Sequence, residues 1–154
     1  MKVDILCVGK LKEKYLQEAV TEYSKRLKGY CKFSIIEVAD EKINNNNLEV
    51  KQKEGVRILN KIADRAYVIV LILEGEMFTS NEFSAYIEKV AIRGFSHIVF
   101  VIGGSVGLSD EVVNRADMAI SFSKMTFPHQ LFRIMLIEQV YRAFKINNNE
   151  TYHK

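Results

Sequence analysis

The chain has 154 residues, of which 48% are apolar and 27% charged. This length and composition fit one globular domain with a full hydrophobic core. No apolar run is long enough to cross a bilayer, and the start of the chain does not resemble a signal peptide, so we expect a cytoplasmic protein.

The net charge leaves the kind of partner open, whereas the cysteines and histidines give no sign of a metal or redox site. The net charge of +3 permits a nucleic-acid partner without requiring one. Seven basic residues and three acidic ones lie between residues 10 and 32, which indicates either a solvated helix face or an RNA-facing patch. Cys7 and Cys31 lack metal or redox spacing, and the histidines are too scattered for a metal motif.

Strand-like and helix-like segments alternate along the chain. Short apolar runs predict five strands, at Val3–Val8, Phe33–Val38, Tyr67–Leu73, Ile98–Ile102 and Met118–Phe122. Helical patterns occupy Glu13–Lys28, Leu48–Asp64, Asn81–Ile92 with Ser80 as its cap, a segment starting at Ser109-Asp110, and a last helix starting at Pro128. This alternation predicts an α/β fold in a single domain over residues 1–154, with a mainly parallel five-stranded sheet and helices on both faces.

Two loops at strand ends form the candidate ligand site. Gly103 and Gly104 follow the fourth strand, with Gly107 close behind, and residues 122–127 follow the fifth. Ligands of parallel α/β sheets bind outside the carboxyl ends of the strands. Glycines let the backbone approach a ligand closely, while Phe and Met side chains suit a planar, uncharged group. If the two strands end side by side, the loops line one pocket.

Other interpretations of these loops stay open at this point. Residues 103–107 match G-x-S-x-G, the nucleophile elbow of serine hydrolases, and Asp110 or Asp117 and then His129 follow in a suitable order. The late start of the next helix and the short distance to His129 weigh against a hydrolase. The glycines also suit a tight turn without a ligand, and residues 122–127 suit a core segment.

The last helix and the end of the chain carry further polar candidates. His129 and Arg133 are four residues apart and so share a helix face. The terminal Tyr152-His153-Lys154 is typical of a frayed end. It also combines an aromatic ring, an imidazole and an ammonium group, which can stack on a base and hold a phosphate.

Long stretches of this sequence resemble one known family. IGGSVGLSDEV, SFSKMTFPHQLFRIMLIEQVYRAFKI and the terminal YHK are similar to the bacterial SPOUT-class methyltransferases that modify N3 of a pseudouridine in 23S ribosomal RNA. The likeness extends to VGKLKEKY near the start and to the chain length. Asn149 and Thr151 depart from the usual family pattern just before the terminal motif.

The resemblance implies a C-terminal trefoil knot, which reasoning from the residues alone rejects because true knots are essentially absent from protein folds. It implies S-adenosylmethionine as cofactor, with no metal. The implied cofactor site consists of Leu71, Gly103 and Gly104 together with the loop residues Phe122, Ser123, Lys124, Met125, Thr126 and Phe127.

The resemblance also implies partners and catalytic residues. It implies a homodimer that acts on 23S rRNA in the large subunit or the 70S ribosome, and neither on DNA nor at a membrane. A non-catalytic RNA-binding module is the remaining alternative besides the hydrolase. Candidates for orienting or deprotonating the base are His129, Arg133, Tyr152 and His153, while Arg142 and Lys154 would hold RNA. We expect the tail to complete the partner's active site. We expect the dimer to form on the apolar side of the last helix, which consists of Leu131, Phe132, Met135, Leu136, Val140 and Phe144.

Overall fold

Strands and helices alternate from the first residue to the last in the computed structural model, which describes residues 1–154. The elements in chain order are β1 (Lys2–Val8), α1 (Lys14–Leu27), β2 (Lys32–Val38), α2 (Asn47–Leu59), β3 (Tyr67–Met77), α3 (Ser80–Ile92), β4 (His97–Ile102), α4 (Asp110–Arg115), β5 (Met118–Ser121) and α5 (His129–Asn147). All strand pairs are parallel and form one sheet in the order β2-β1-β4-β3-β5. The predicted α/β fold is confirmed.

The two faces of the sheet carry separate hydrophobic cores because successive side chains of a strand point to opposite sides. In β4, Phe100 and its alternate neighbours pack with residues of α3 and α5. Val99 and Val101 pack on the other face, with residues of α2 and α4. The sheet is therefore covered by helices on both faces, as predicted. No helix is both long and apolar enough to cross a membrane.

The order of the strands corrects one expectation. β4 and β5 were expected to be neighbours, so that their loops would meet. In the structure β3 lies between them. The end of β3 therefore lies between the two loops. Local sequence patterns carry no information on which strands pair, so this arrangement could not be predicted.

The second half of β3 also differs from expectation. The predicted strand ends at Leu73, before two glutamates that are typical of a loop, but β3 continues to Met77. Both Leu71 and Glu76 pair with Ile120 of β5, so the residues between them bulge out of the ladder. Gly75 lies within this bulge, where an added Cβ would be only 2.4–2.7 Å from backbone atoms of Ile120. Only glycine fits this close approach of the two chains.

Three helices also differ from expectation at their ends: α2 ends at Leu59 and not at Asp64, α5 begins at His129 with Pro128 as its N-cap, and α3 has a different cap. Thr79, not Ser80, is the N-cap: its hydroxyl accepts the Glu82 backbone N–H at 3.2 Å, and the Glu82 carboxylate accepts the Thr79 N–H at 2.7 Å. The hydroxyl of Ser80 instead donates to Gln139 Oε1 at 2.8 Å. This contact ties α3 to α5.

Candidate functional site

A cavity of about 590 Å³ lies at the carboxyl ends of β3, β4 and β5. We call it the strand-end cavity. Its walls are residues 71–74 from β3, residues 102–108 after β4, residues 120–123 and 125–127 at and after β5, and Lys51, Asp110, Val113, His129 and Phe132. A ligand at this place would lie where parallel sheets bind theirs.

Most of the predicted cofactor residues lie together in this cavity. Leu71, Gly103, Gly104, Phe122, Ser123, Met125, Thr126 and Phe127 all line it. Lys124 does not line it and is exposed. Ile72, Leu73 and Glu74 form a further wall that was not predicted from the sequence. The one sequence signal for this wall is its position at the end of the apolar run of β3. Glu74 and Glu76, which follow that run, suggest a loop instead.

The glycine loop after β4 closes on itself within the cavity wall. The N–H of Gly107 donates to the Gly104 carbonyl at 3.1 Å. A Cβ on Gly103 would lie 3.0 Å from both the Gly107 carbonyl carbon and the Leu108 side chain. Backbone atoms therefore form this part of the wall, because there is no space for a side chain.

The same loop does not have the geometry of a nucleophile elbow. In that motif the helix begins at the nucleophile, whereas α4 begins only at Asp110, with Ser109 as its N-cap. Ser105 has no hydrogen bond to a histidine, and Asp117 accepts the backbone N–H of Val68 at 2.8 Å instead. The structure gives no support to the hydrolase alternative.

Residues 122–127 form the opposite wall, and their shape is fixed by two serines. The Ser121 hydroxyl donates to the Ser123 carbonyl at 2.9 Å, and the Met125 N–H donates to the Ser123 hydroxyl at 3.0 Å. Phe122 packs edge-on against Phe132 of α5, with 4.9 Å between ring centroids. This wall is preorganised before a ligand binds, and it leaves the Met125 side chain exposed.

The structure separates His129 from Arg133. His129 lines the strand-end cavity, but Arg133 is only 1% exposed and does not line it. Its guanidinium donates to Glu37 Oε2 at 2.7 Å and to the Gly9 carbonyl at 3.2 Å. Burial alone would raise the pKa of Glu37, but the hydrogen bonds from Arg133 and the Leu11 N–H hold it below its usual value. Arg133, predicted as a catalytic residue near the pocket, is thus a buried ion-pair partner.

The end of the chain folds back on its own last helix. Tyr152 packs edge-on against Tyr141, and its hydroxyl donates to Glu138 Oε1 at 3.1 Å. Burial and the Glu138 carboxylate raise the pKa of Tyr152 to about 12, so this phenol is protonated at neutral pH. Neither Tyr152 nor His153 lines the strand-end cavity of its own chain.

Of the two predicted RNA-contacting residues, Arg142 packs against the tail. Arg142 pairs with Glu138 at 2.6 Å, stacks 4.7 Å above the Tyr152 ring and contacts His153 Nδ1 at 3.2 Å. Lys154 is exposed and makes no salt bridge. The tail and Arg142 thus form one cluster on α5.

A second cavity, of about 440 Å³, lies beside this cluster, and we call it the α5 cavity. Leu131, Ile134 and Met135 of α5 line it, together with side chains from α1, from residues 78–83 and from the end of β5. Leu136 and Val140, which the sequence places on the same apolar side of α5, are instead buried in the core of the chain itself. The unburied apolar surface of α5 is therefore smaller than expected.

The strand-end cavity fits S-adenosylmethionine. Its volume lies within the range of about 300–1,000 Å³ that small-molecule sites have, and about half of its lining residues are apolar. Packed phenylalanines and an exposed methionine suit the faces of an adenine ring, and free backbone groups can pair with its edge. No three side chains of His, Cys, Asp or Glu converge in a way that would hold a metal ion.

Comparison with known proteins identifies the family. A family model described as "Predicted SPOUT methyltransferase" matches residues 1–153. The chain is 58% identical to the ribosomal RNA large subunit methyltransferase H of Clostridium perfringens strain 13, 56% to that of Clostridium acetobutylicum and 53% to that of Bifidobacterium animalis subsp. lactis. Each match covers 100% of both chains. The chain belongs to the SPOUT methyltransferase family, as the resemblance of its motifs predicts.

Proposed function

We propose that this protein transfers the methyl group of S-adenosylmethionine to N3 of a pseudouridine in 23S ribosomal RNA, within the large subunit or the 70S ribosome. The observation that carries the proposal is the strand-end cavity, whose size and walls fit the cofactor and whose lining contains most of the predicted cofactor residues. Full-length identity to ribosomal RNA large subunit methyltransferases supports the RNA substrate. A ribosomal substrate supports the further proposal that the protein acts in the cytoplasm.

In this reaction the bound cofactor supplies an electrophilic methyl group on a sulfonium sulfur. Leu71, Gly103, Gly104 and the loop after β5 would hold the cofactor, and transfer of its methyl group to N3 would require an acceptor for the N3 proton. The chain's own contribution is to hold the two reactants in line, which accounts for a large part of the acceleration in such transfers. The two preorganised walls of the strand-end cavity suit this task.

His129 is our first candidate for orienting the base or accepting its proton. It is the one predicted catalytic residue that lines the strand-end cavity of its own chain. Tyr152 is a candidate for orientation only, since its raised pKa keeps it protonated at neutral pH. A protonated phenol donates a hydrogen bond but cannot act as a base.

We further propose a homodimer in which the tail of one subunit completes the cavity of the other. The tail cluster and the α5 cavity share Glu138, and the α5 cavity shares Ile120, Ser121 and Phe122 with the strand-end cavity. A partner seated on α5 would therefore lie next to the cofactor. The knot implied by the family, and one domain over residues 1–154, are parts of the same proposal.

The test is methylation of isolated ribosomes that lack this modification. Purified protein, ribosomes and S-adenosylmethionine are incubated, and the 23S rRNA is digested to nucleosides for mass spectrometry. We expect one methyl group per 23S rRNA, on a pseudouridine and at N3. Methylation of another nucleoside, or binding of ribosomes without consumption of cofactor, would contradict the proposal, and the second result would favour a non-catalytic RNA-binding module.

A further inference from the structure

The loop that follows β1 leaves the sheet beside the glycine loop of the strand-end cavity. β1 and β4 are paired in register, with Cys7 opposite Ile102, so the segments after them leave the sheet side by side. The contact is close: a Cβ on Gly104 would lie 3.1 Å from Val8 Cγ1. We call residues 9–15 the lysine loop, since three of them are lysines; its last two residues, Lys14 and Tyr15, are the first residues of α1.

Hydrogen bonds with three side chains hold the backbone of the lysine loop in place. Glu37 Oε2 accepts both the Leu11 N–H at 2.9 Å and the Arg133 guanidinium at 2.7 Å, and Arg133 also donates to the Gly9 carbonyl. The Gln17 side chain donates to the Leu11 carbonyl at 2.7 Å. Arg133 lies one helical turn after His129, so this network fixes the lysine loop relative to a cavity residue.

The side chains of the lysine loop are free although its backbone is fixed. Lys10 and Lys12 are exposed and form no salt bridge. Lys14 reaches Glu18 only at 4.0 Å, and both side chains remain largely in water, so that pair adds little. Next to these lysines, the ring of Tyr15 is 66% exposed.

An unpaired cluster of this kind has the composition of a site for single-stranded RNA. Lysines near a reaction centre neutralise phosphates, and an exposed aromatic ring offers a platform on which an unpaired base stacks. The alternative from the sequence is a basic helix face that is simply in water. Such a face would need neither the hydrogen-bonded backbone at Gly9 and Leu11 nor the exposed ring of Tyr15. Glu37 and Arg133 fix the backbone of the lysine loop, so that its lysine side chains start from a defined position although they have no partner of their own.

We propose that Lys10, Lys12 and Tyr15 bind the substrate RNA next to the methyl-transfer site, the lysines on its phosphates and the tyrosine on an unpaired base. This inference rests on the proposed function, because it assigns the surface that delivers the RNA to the strand-end cavity. Arg133 and Glu37 act as positioning residues for this surface and do not touch the RNA.

The test compares two double charge reversals on the same basic stretch. Lys10→Glu with Lys12→Glu changes the lysine loop, and Lys25→Glu with Lys28→Glu makes the same change in net charge at exposed positions toward the other end of α1. Ribosome methylation is measured as KM and kcat at several salt concentrations, and S-adenosylmethionine affinity by calorimetry. Thermal unfolding reports whether each variant is folded.

We expect the first variant to raise KM for ribosomes about tenfold or more at moderate salt, with cofactor affinity unchanged. The dependence of log affinity on log salt should become shallower by about one unit for each lysine that contacts a phosphate. Tyr15→Leu should raise KM about tenfold through lost stacking, and Tyr15→Phe should restore it.

Equal effects of the two double variants would overturn the inference, since general attraction of RNA by net charge would then suffice. An unchanged KM and salt dependence in the first variant would also overturn it. Failure of the proposed function has a different signature, because the unmodified protein itself would then transfer no methyl group to ribosomes.

Discussion

Tyr152 donates a hydrogen bond to Glu138 Oε1 at 3.1 Å, and these two residues join the end of the chain to the middle of α5. The tail therefore has a defined position, although its sequence is typical of a frayed terminus. That position lies outside the strand-end cavity of the same chain. If the tail takes part in methyl transfer, it does so next to a partner's cavity.

Deletion of residues 151–154 tests this role of the tail. We expect cofactor affinity and the dimer to remain nearly unchanged, since neither cofactor wall contains a tail residue, while methyl transfer to ribosomes is lost. Calorimetry, sedimentation and the ribosome assay measure the three properties. Full activity of the truncated protein would contradict the role.

Mixing two defective chains separates action within one subunit from action across the dimer. The truncated chain keeps its cavity, and a full-length Gly103→Val chain keeps its tail but not its cavity. If the tail acts across the dimer, the mixture should regain activity in heterodimers. Absence of rescue, with heterodimers detected by mass spectrometry, would confine the tail to its own subunit.

Substitution of Met135 tests where the dimer forms. Met135 lines the α5 cavity and is not part of the chain's own core, so Met135→Glu should leave the fold intact and place a charge in the subunit contact. We expect a monomer at micromolar concentration by sedimentation velocity, without methylation activity. The control is Ile92→Glu, at an apolar side chain that is 80% exposed at the end of α3. Dimers in both variants would exclude the α5 cavity as the contact.

The buried carboxyl group of Glu54 should make stability depend on pH. Glu54 is 3% exposed; its Oε2 accepts the Glu41 N–H at 3.0 Å, and its Oε1 has no partner. Burial, together with the nearby Asp40 carboxylate, raises the pKa of Glu54 in the folded protein. The folded state thus holds this proton more tightly than the unfolded state does. The free energy of unfolding should therefore fall as pH rises from about 4.5 through the folded-state pKa.

Glu54→Gln removes this charge and keeps the shape of the side chain. We expect the variant to unfold about 2–4 °C above the unmodified protein at pH 8, which corresponds to about 1 kcal/mol in a chain of this size, and the difference to shrink near pH 4.5. Glu88→Gln, at an exposed position on α3, is the matched control and should change neither value. A lower melting temperature of Glu54→Gln at pH 8 would contradict this account of the buried charge.

Most of the fold could be predicted because its strands are apolar runs bounded by glycine or charge. Tyr67–Leu73 is one such run, and the strand it predicts exists. The extension of β3 to Met77 could not be predicted, since Glu74 and Glu76 are typical of a loop. They belong to the strand because β5 pairs with the end of β3 across a bulge, a contact between segments far apart in sequence.

The candidate site shows the same division. The glycines after β4 and the aromatic loop after β5 are local sequence features, so both could be predicted as parts of the site. Arg133 was assigned to the site because helix periodicity places it beside His129. Its buried position instead depends on an ion pair with Glu37, which is 96 residues away in the sequence. A buried arginine cannot be recognised from the sequence of its own helix, because what allows its burial is the carboxylate that another strand supplies.

The central claim is that S-adenosylmethionine binds in the strand-end cavity, and its most direct test is a calorimetric titration of three proteins. A methyl group at Gly103 would lie 3.0 Å from the backbone of Gly107, whereas one at Gly29 would meet only the Arg26 carbonyl oxygen, at 3.9 Å. Crowding of this kind costs about 1–3 kcal/mol and is relieved by a shift of the cavity wall, so Gly103→Ala should weaken cofactor binding about fivefold or more. The unmodified protein and Gly29→Ala should bind S-adenosylmethionine equally well. No heat of binding in the unmodified protein, or equal affinity in all three, would contradict the claim.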